Sequence, residues 1–340
     1  MRAEPRRPAR LDDVATAAGV HVSTVSRVLN GSSDLSIRPE TRTRILETAK
    51  RLGYRPNAFG RGLKLATTGS LGLLVPSLRN PVNSAIVRGA FDRAWERGFV
   101  LVLAEDPGED NAAEEAYARL VHEGRIDGLL IQSARLGNPL LDGFAGGAVP
   151  CVFLDRRHPG SGRNVCMRDD DAGRLAARHF LELGHERVAL LGGPTELDTV
   201  VRRKDGYLAE ARAAGLRVAV EEAELSERGG FEAMARLVAG RRRPTAVFVA
   251  NISQAVGALS ALREQGVRAP DEISVLCHDD DPICEFLDPP LSAIDMPLHE
   301  LGVAGVDALI DQIEGEPASD VVVETPPAMV ERRSTAKAPA

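Results

Sequence analysis

From Ser70 onward the sequence alternates short apolar runs with stretches of helical period, and this alternation limits the possible folds more than any other feature. Residues 71–75, 99–104, 128–131, 149–154, 188–191, 246–249 and 273–276 read as strands. Residues 86–95, 111–122, 174–183, 206–214, 231–238 and 255–265 read as helices. Strands that are apolar throughout need cover on both faces, so they belong to parallel sheets flanked by helices. About 270 residues of this pattern exceed what one core usually holds, and two lobes are expected. Only 4% of residues are aromatic, so the core must be built from Ala, Val and Leu. Ligands of such sheets sit beyond the carboxyl ends of the strands. Asp106, Asp155, Asn251 and Asp279 stand at such ends, where each reads equally well as a ligand group or as a helix cap.

The first 64 residues follow a different plan. Leu11, Val14, Ala15 and Ala18 form one face of a short helix stopped by Gly19. A second helix buries Val25, Val28 and Leu29 and turns Ser23, Ser26, Arg27 and Asn30 the other way. After a loop at Gly31-Ser32-Ser33-Asp34, a third helix starts near Pro39, buries Ile45, Leu46, Ala49 and Leu52, and ends at Gly53. Three short helices with a tight turn between the first two make a helix-turn-helix unit. A small polar face with one arginine suits a major groove, because Arg can give a guanine edge two hydrogen bonds. An ordinary three-helix bundle with a wet polar face is the alternative. Charge separates the two readings. The whole chain carries a net −7, yet residues 1–64 hold thirteen basic against six acidic residues, and the remainder twenty-nine against forty-three. A basic head on an acidic body is expected when only the head meets phosphate.

Other classes find little support. No run of 18 apolar residues is long enough for a membrane span. Met1 to Arg10 holds four arginines with no apolar stretch behind them, unlike a signal peptide, so a cytoplasmic protein is expected. The four cysteines lack CxxC spacing and the seven histidines are scattered, so free buried thiols and neither metal nor cofactor are expected. The run Cys277-His278-Asp279-Asp280-Asp281 admits metal or thiol chemistry, but no catalytic order or phosphate loop accompanies it, and an enzyme is not expected. A solute-binding protein would not need the basic head.

The segments Asp13-Val14-Ala15, Ala18-Gly19-Val20 and Thr24-Val25-Ser26-Arg27-Val28-Leu29-Asn30 resemble the lac repressor and galactose repressor family of bacterial transcription regulators. Gly53-Tyr54-Arg55-Pro56-Asn57, Leu183-Gly184-His185, Gly192-Gly193-Pro194, Gly206-Tyr207, Asp279-Asp280 and Asp288-Pro289-Pro290-Leu291 extend the likeness over residues 11–333. The resemblance implies an all-α helix-turn-helix domain joined to an α/β sensor of two lobes, like periplasmic binding proteins, with parallel sheets. It implies a basic disordered arm at 1–10, the DNA-binding domain at 11–56, and a hinge helix and linker at 57–69. The effector-binding and dimerisation domain would span 70–333, with lobe one about 70–166 and 297–323 and lobe two about 167–294 and 325–333. Residues 334–340 would form a disordered tail. The implied partners are double-stranded operator DNA, a second copy of the chain and a small effector, a carbohydrate or derivative. A regulator without an effector is the alternative.

Carried over by position, Val22, Ser23 and Arg27 resemble base readers, and Thr24, Ser26, Asn30, Tyr54 and Asn57 resemble phosphate and positioning contacts. Arg61 and Leu63 fall in the hinge, and Leu63 matches a leucine that wedges into the minor groove. Gly60, where alanine is usual, and Gly62 make that hinge a poor helix without DNA. The usual Ser after Gly-Val is His21, which leaves the first turn of the recognition helix open. In the sensor, Asp155, Asn251 and Asp279 match groups that hold sugar hydroxyls, and Phe231 matches an aromatic that stacks on a sugar. Asn83 stands, after Val82, where aromatics are common. Val201, Ile252 and Met296 replace an expected arginine, aspartate and glutamine. Half a sugar site is retained, which implies a ligand other than the usual hexose, or none.

Overall fold

The computed structural model describes residues 9–29, 37–54, 67–106, 112–135, 139–146, 149–240 and 242–339. The chain forms two compact units, Met1–Thr68 and Gly69–Ala340. Residues 1–8 of the expected arm, Asn30, the loop after it and hinge residues 57–66 lie outside the described residues, while Arg10 N donates to Asp13 Oδ2 at 2.8 Å at the start of the first helix.

In the first unit, α1 (Leu11–Ala18), α2 (Val22–Leu29) and α3 (Pro39–Leu52) close on Val14, Ala15, Ala18, Val25, Val28, Ile45 and Ala49. Gly19 ends α1 at φ 63°, a left-handed conformation natural to glycine, and turns the chain directly into α2. The expected core of α3 needs correction. Leu46 and Leu52 are 48% and 38% exposed, while Thr48 is buried between Ile45 and Ala49. The buried stripe follows i, i+3, i+4 from Ile45; Leu46 lies about 100° around the helix and Leu52 on its last turn.

The second unit holds two six-stranded sheets. Lobe one orders its strands β11-β5-β4-β3-β1-β2, from β1 (Ser70–Val75), β2 (Val100–Glu105), β3 (Gly128–Ile131), β4 (Cys151–Leu154), β5 (Asn164–Cys166) and β11 (Val321–Val322). Lobe two orders them β12-β10-β9-β8-β6-β7, from β6 (Arg187–Gly192), β7 (Arg217–Glu222), β8 (Ala246–Val249), β9 (Ser274–His278), β10 (Ser292–Asp295) and β12 (Ala328–Val330). All pairings are parallel except β10 with β12. The helices are α4 (Pro81–Glu96), α5 (Ala112–His122), α6 (Pro139–Ala145), α7 (Asp169–Glu182), α8 (Asp198–Ala213), α9 (Glu227–Ala239), α10 (Ile252–Glu264) and α11 (Leu298–Ile313). The chain passes between the lobes after β5, after β10 and after β11. No helix among the described residues is long and apolar enough to cross a membrane.

Helix pairs α4–α11, α7–α8 and α9–α10 make the densest packing. A Cβ at Gly206 of α8 would lie 2.0 Å from the Asp170 carbonyl oxygen, so α8 rests directly on the backbone of α7. That contact holds the first turn of α7, with Asp169, against the part of α8 that follows Arg202 and Arg203.

Residues 334–338 are not a disordered tail. Ser334 Oγ donates to the Val275 carbonyl at 2.6 Å and accepts from Ser292 N at 2.7 Å. Val275 N donates to the Ser334 carbonyl at 2.8 Å, and Ala338 N donates to the Leu183 carbonyl at 2.9 Å. His185 Nε2 meets the Ala336 carbonyl at 3.0 Å. A polar, proline-containing end gives no periodic signal, and lobe two orders it through backbone hydrogen bonds.

Candidate functional site

The first unit exposes the polar face of α2. Ser23 and Arg27 are exposed and Thr24 and Ser26 half-buried. Val22 and Tyr54 are half-buried and pack against the three-helix core. His21 answers the question of the first turn. It is the residue before α2, and its carbonyl accepts from Thr24 N at 2.9 Å and Val25 N at 3.3 Å. Its ring Nδ1 accepts from Ser23 N at 3.3 Å and lies 2.8 Å from Ser23 Oγ. The imidazole thus caps the helix as a serine would, and α2 starts at Val22.

In the second unit the carboxyl ends of both sheets meet around two adjacent arginines of α8. Arg202 Nε donates to Asp198 Oδ2 at 2.8 Å, its Nη1 to the Met167 carbonyl at 2.9 Å, and its Nη2 to the Asp155 carbonyl at 3.0 Å. Arg202 also pairs with Asp169 at 2.6 Å. Arg203 Nη2 donates to Asp169 Oδ1 at 2.8 Å and its Nη1 to the Ala250 carbonyl. From lobe one, Arg157 forks onto Asp198 at 3.0 and 3.1 Å. Burial alone would raise the Asp198 carboxyl, but Arg157 and Arg202 hold it below its ordinary value. These arginines therefore join strand ends of one lobe to helix starts of the other.

Asp155 and Asp279 adjoin this lattice in a different state. They alone among the described non-glycine residues have positive φ, at 68° and 70°. Such strain at strand ends gathers where side chains are aimed for function. Asp155 Oδ1 is sealed from solvent without a hydrogen-bond partner. Burial, then the neighbouring Asp169 charge, pushes the Asp155 carboxyl up to about 6. Burial, with Asp155 and Asp169 nearby, pushes Asp279 up to about 7 although Arg203 pulls it down. His278 is fully buried, with Nε2 3.3 Å from Asp279 Oδ1 and 3.8 Å from Asp169 Oδ1. Burial first, then Arg203 and Arg202, drives its pKa well below the ordinary value, so the ring stays neutral.

Three further expected ligand residues are placed otherwise. Asn83 Oδ1 accepts from Gln132 Nε2 at 2.8 Å and its amide donates to the Ser77 carbonyl, so it orients Gln132. The Gln132 Oε1 atom is left buried and without a partner. Asn251 caps α10: Oδ1 accepts from Gln254 N at 2.9 Å and Nδ2 donates to the Leu225 carbonyl at 3.3 Å. Phe231 lies on α9, packed against the lobe-two core, with its backbone against Gly257 of α10. Sequence reasoning missed Asp169, Asp198, Arg202, Arg203 and Gln132, and singled out His278 only within the run 277–281. The available signal was the pair of arginines one turn before Gly206, on a helix held too close to α7 to leave them in solvent.

The comparisons agree with this architecture. A model described as bacterial regulatory proteins, lacI family, matches residues 10–57, and one described as periplasmic binding protein-like domain matches 177–335. The ribose operon repressor of Escherichia coli (strain K12) is 32% identical over 334 residues, 96% of this chain and 99% of that one. The lac repressor dimer bound to operator and the anti-inducer ONPF superposes with a TM-score of 0.87 at 28% identity, covering 97% of this chain and 100% of that one. The transcriptional regulator CelR in complex with cellobiose superposes with a TM-score of 0.73 at 30% identity, covering 96% and 99%. With a helix-turn-helix head, a two-lobed sensor and relatives matched from end to end, the chain belongs to the lacI family of bacterial regulatory proteins.

Proposed function

We propose that this chain is a cytoplasmic transcriptional repressor that binds near-palindromic operator DNA as a homodimer and alters that binding when a small polyhydroxylated effector enters the sensor cleft. The carrying observation is a set of polar atoms near the facing strand ends: Gln132 Oε1, Ser133 Oγ, Asp155 Oδ1 and Arg203 Nε are buried without partners. Buried polar atoms left unpaired cost about 1–3 kcal/mol each, a cost that a ligand rich in hydroxyls relieves. The operator and effector of the relatives support the same pairing of roles.

At the DNA, Ser23 and Arg27 read bases, with Val22 at the margin of that face, and Thr24, Ser26 and Tyr54 position the unit on phosphates. Asn30, Asn57, Arg61 and Leu63 complete the interface by resemblance, outside the described residues. A second copy docks on the apolar surface of α4, where Phe91 and Trp95 are 48% and 71% exposed beside edge strand β2. Asp155 and Asp279 hold the effector, while Asn83 and Asn251 shape the cleft.

The test is an electrophoretic mobility-shift assay on DNA upstream of the protein's own gene, with a panel of sugars and their derivatives. Asp279→Ala should keep operator binding and lose the effector response. A variant that still responds with unchanged effector affinity removes Asp279 from the site.

A further inference from the structure

We propose that the effector carries an anionic oxygen group, phosphate or carboxylate, on its polyhydroxylated body, and that Arg156 together with Ser133 receives that group. This rests on reading the cleft as the effector site.

Arg156 follows Asp155 at the end of β4 and is partly buried. Among the described residues its one hydrogen bond runs from Nη1 to the Ser133 carbonyl at 3.5 Å, the outer edge of a useful contact. No ion pair is formed by it with any described carboxylate. The contrast with its neighbours is sharp. Arg157 forks onto Asp198, Arg202 holds Asp169 and Asp198, and Arg203 holds Asp169. The two carboxylates nearest the lattice are therefore already engaged. Asp106 and Asp155 attract Arg156 only through space, while Arg135 and Arg203 repel it. A guanidinium largely withdrawn from water normally has a close counter-charge, because its desolvation is otherwise uncompensated. Here burial, joined by the two like charges, lowers its pKa.

Ser133 stands beside the guanidinium, its carbonyl 3.5 Å from Arg156 Nη1. Strands β3 and β4 pair with Ile131 opposite Phe153, which sets residue 133 beside 155 and 156. Ser133 is buried and its Oγ has no partner. A hydroxyl and a planar fork of N–H donors on neighbouring strand ends match an anionic oxygen group, which accepts from both. Next along the same strand ends, Gln132 Oε1 and Asp155 Oδ1 are unpartnered acceptors. They require donors, which the hydroxyls of the same ligand supply. A neutral sugar satisfies those acceptors and leaves Arg156 alone; an inorganic anion does the reverse.

The experiment uses the full chain in thermal-shift and titration calorimetry against D-ribose, D-ribose 5-phosphate, D-gluconate and inorganic phosphate, with sodium chloride at matched ionic strength as control. An anionic polyol should raise Tm above both chloride and D-ribose, and the ranking of ribose 5-phosphate against gluconate identifies phosphate or carboxylate. Arg156→Gln should weaken that binding roughly ten- to a hundred-fold, the range of a hydrogen bond to a charged group. Arg156→Met should raise the Tm of the ligand-free protein, because it removes an unpaired charge. D-ribose binding as tightly as its phosphate, with that binding lost in Asp279→Ala, overturns the anion subsite and keeps the cleft. No binding by any compound overturns both. A lower Tm in Arg156→Met with anion affinity unchanged makes Arg156 a structural brace and ends the proposal.

Discussion

The end of β8 and the ends of β4 and β9 each present a short polar residue to the same cleft, and they treat it in opposite ways. Asn251 is followed at once by α10, and both ends of its amide are taken by backbone groups. Asp155 and Asp279 are followed by loop or 3₁₀ turn, adopt left-handed backbone, and keep a carboxyl buried against its preference for charge. A polar residue at a strand end is thus a cap when the next residue is helical, because the orphan N–H groups of the first turn claim it. It stays available for a ligand when the chain must first turn away.

The largest effect should come from breaking the lattice both ends share. Asp169→Ala strands Arg202 and Arg203 in the interior, and roughly 3–5 kcal/mol of unfolding free energy should be lost in urea melts. A loss below about 1 kcal/mol would mean that water already screens the lattice.

Asp279→Asn should act in the other direction. The folded carboxyl holds its proton up to about 7, well above the ordinary carboxylate value of 3.8. Between those limits the folded state keeps a proton that the unfolded chain has released, so stability falls as pH rises and the penalty is complete above about pH 7. Asn carries no such penalty. The variant should be more stable than the parent at pH 8, by up to about 4 kcal/mol, and equal near pH 4. A parent whose Tm is flat between pH 4 and 7 contradicts the assignment.

Arg27→Ala should cost about 1–3 kcal/mol of operator affinity and relax preference at one base position. Uniform weakening on all sequences makes Arg27 a phosphate contact. Asn251→Ala should lose about 1 kcal/mol of stability, as cap removal does, while the variant still answers its effector. Loss of the response at unchanged stability breaks the comparison between the strand ends. The smallest effect is expected at His21: alanine there should lose about 0.5–1 kcal/mol from the first unit and serine almost nothing, read by thermal melts. Equal melts for the two variants show that the imidazole does not cap.

Much of this was legible in the sequence. Central strands β3 and β8 coincide with their apolar runs, since burial on both faces leaves an unbroken signal. Edge strand β7 is partly exposed and carries charged residues, β11 and β12 are partly exposed and only 2 and 3 residues long, and the terminal strap has no period at all. In the cleft, Asp155 and Asp279 could be named because a strand end fixes their position. Asp169, Arg202 and Arg203 could not, because their roles depend on how closely α7 meets α8 across glycine, which is tertiary information. Asn251 was ambiguous for a related reason: a helix start offers a polar side chain both to its own backbone and to a ligand, and the spacing is the same.

The order of the strands has a consequence for how this molecule is made. Lobe one is closed by β11 and α11, and lobe two by β10, β12 and the strap at 334–338, all from the last fifty residues or so of the described chain. While a ribosome is still at work, both sheets wait with an unpaired border and α4 lacks the helix that covers it. Contacts between residues so far apart in sequence form slowly, and open borders invite mispairing with other chains. Synthesis rate and chaperone supply should therefore govern the yield of this protein more than its final stability does, and a truncation near residue 320 should leave neither lobe able to finish.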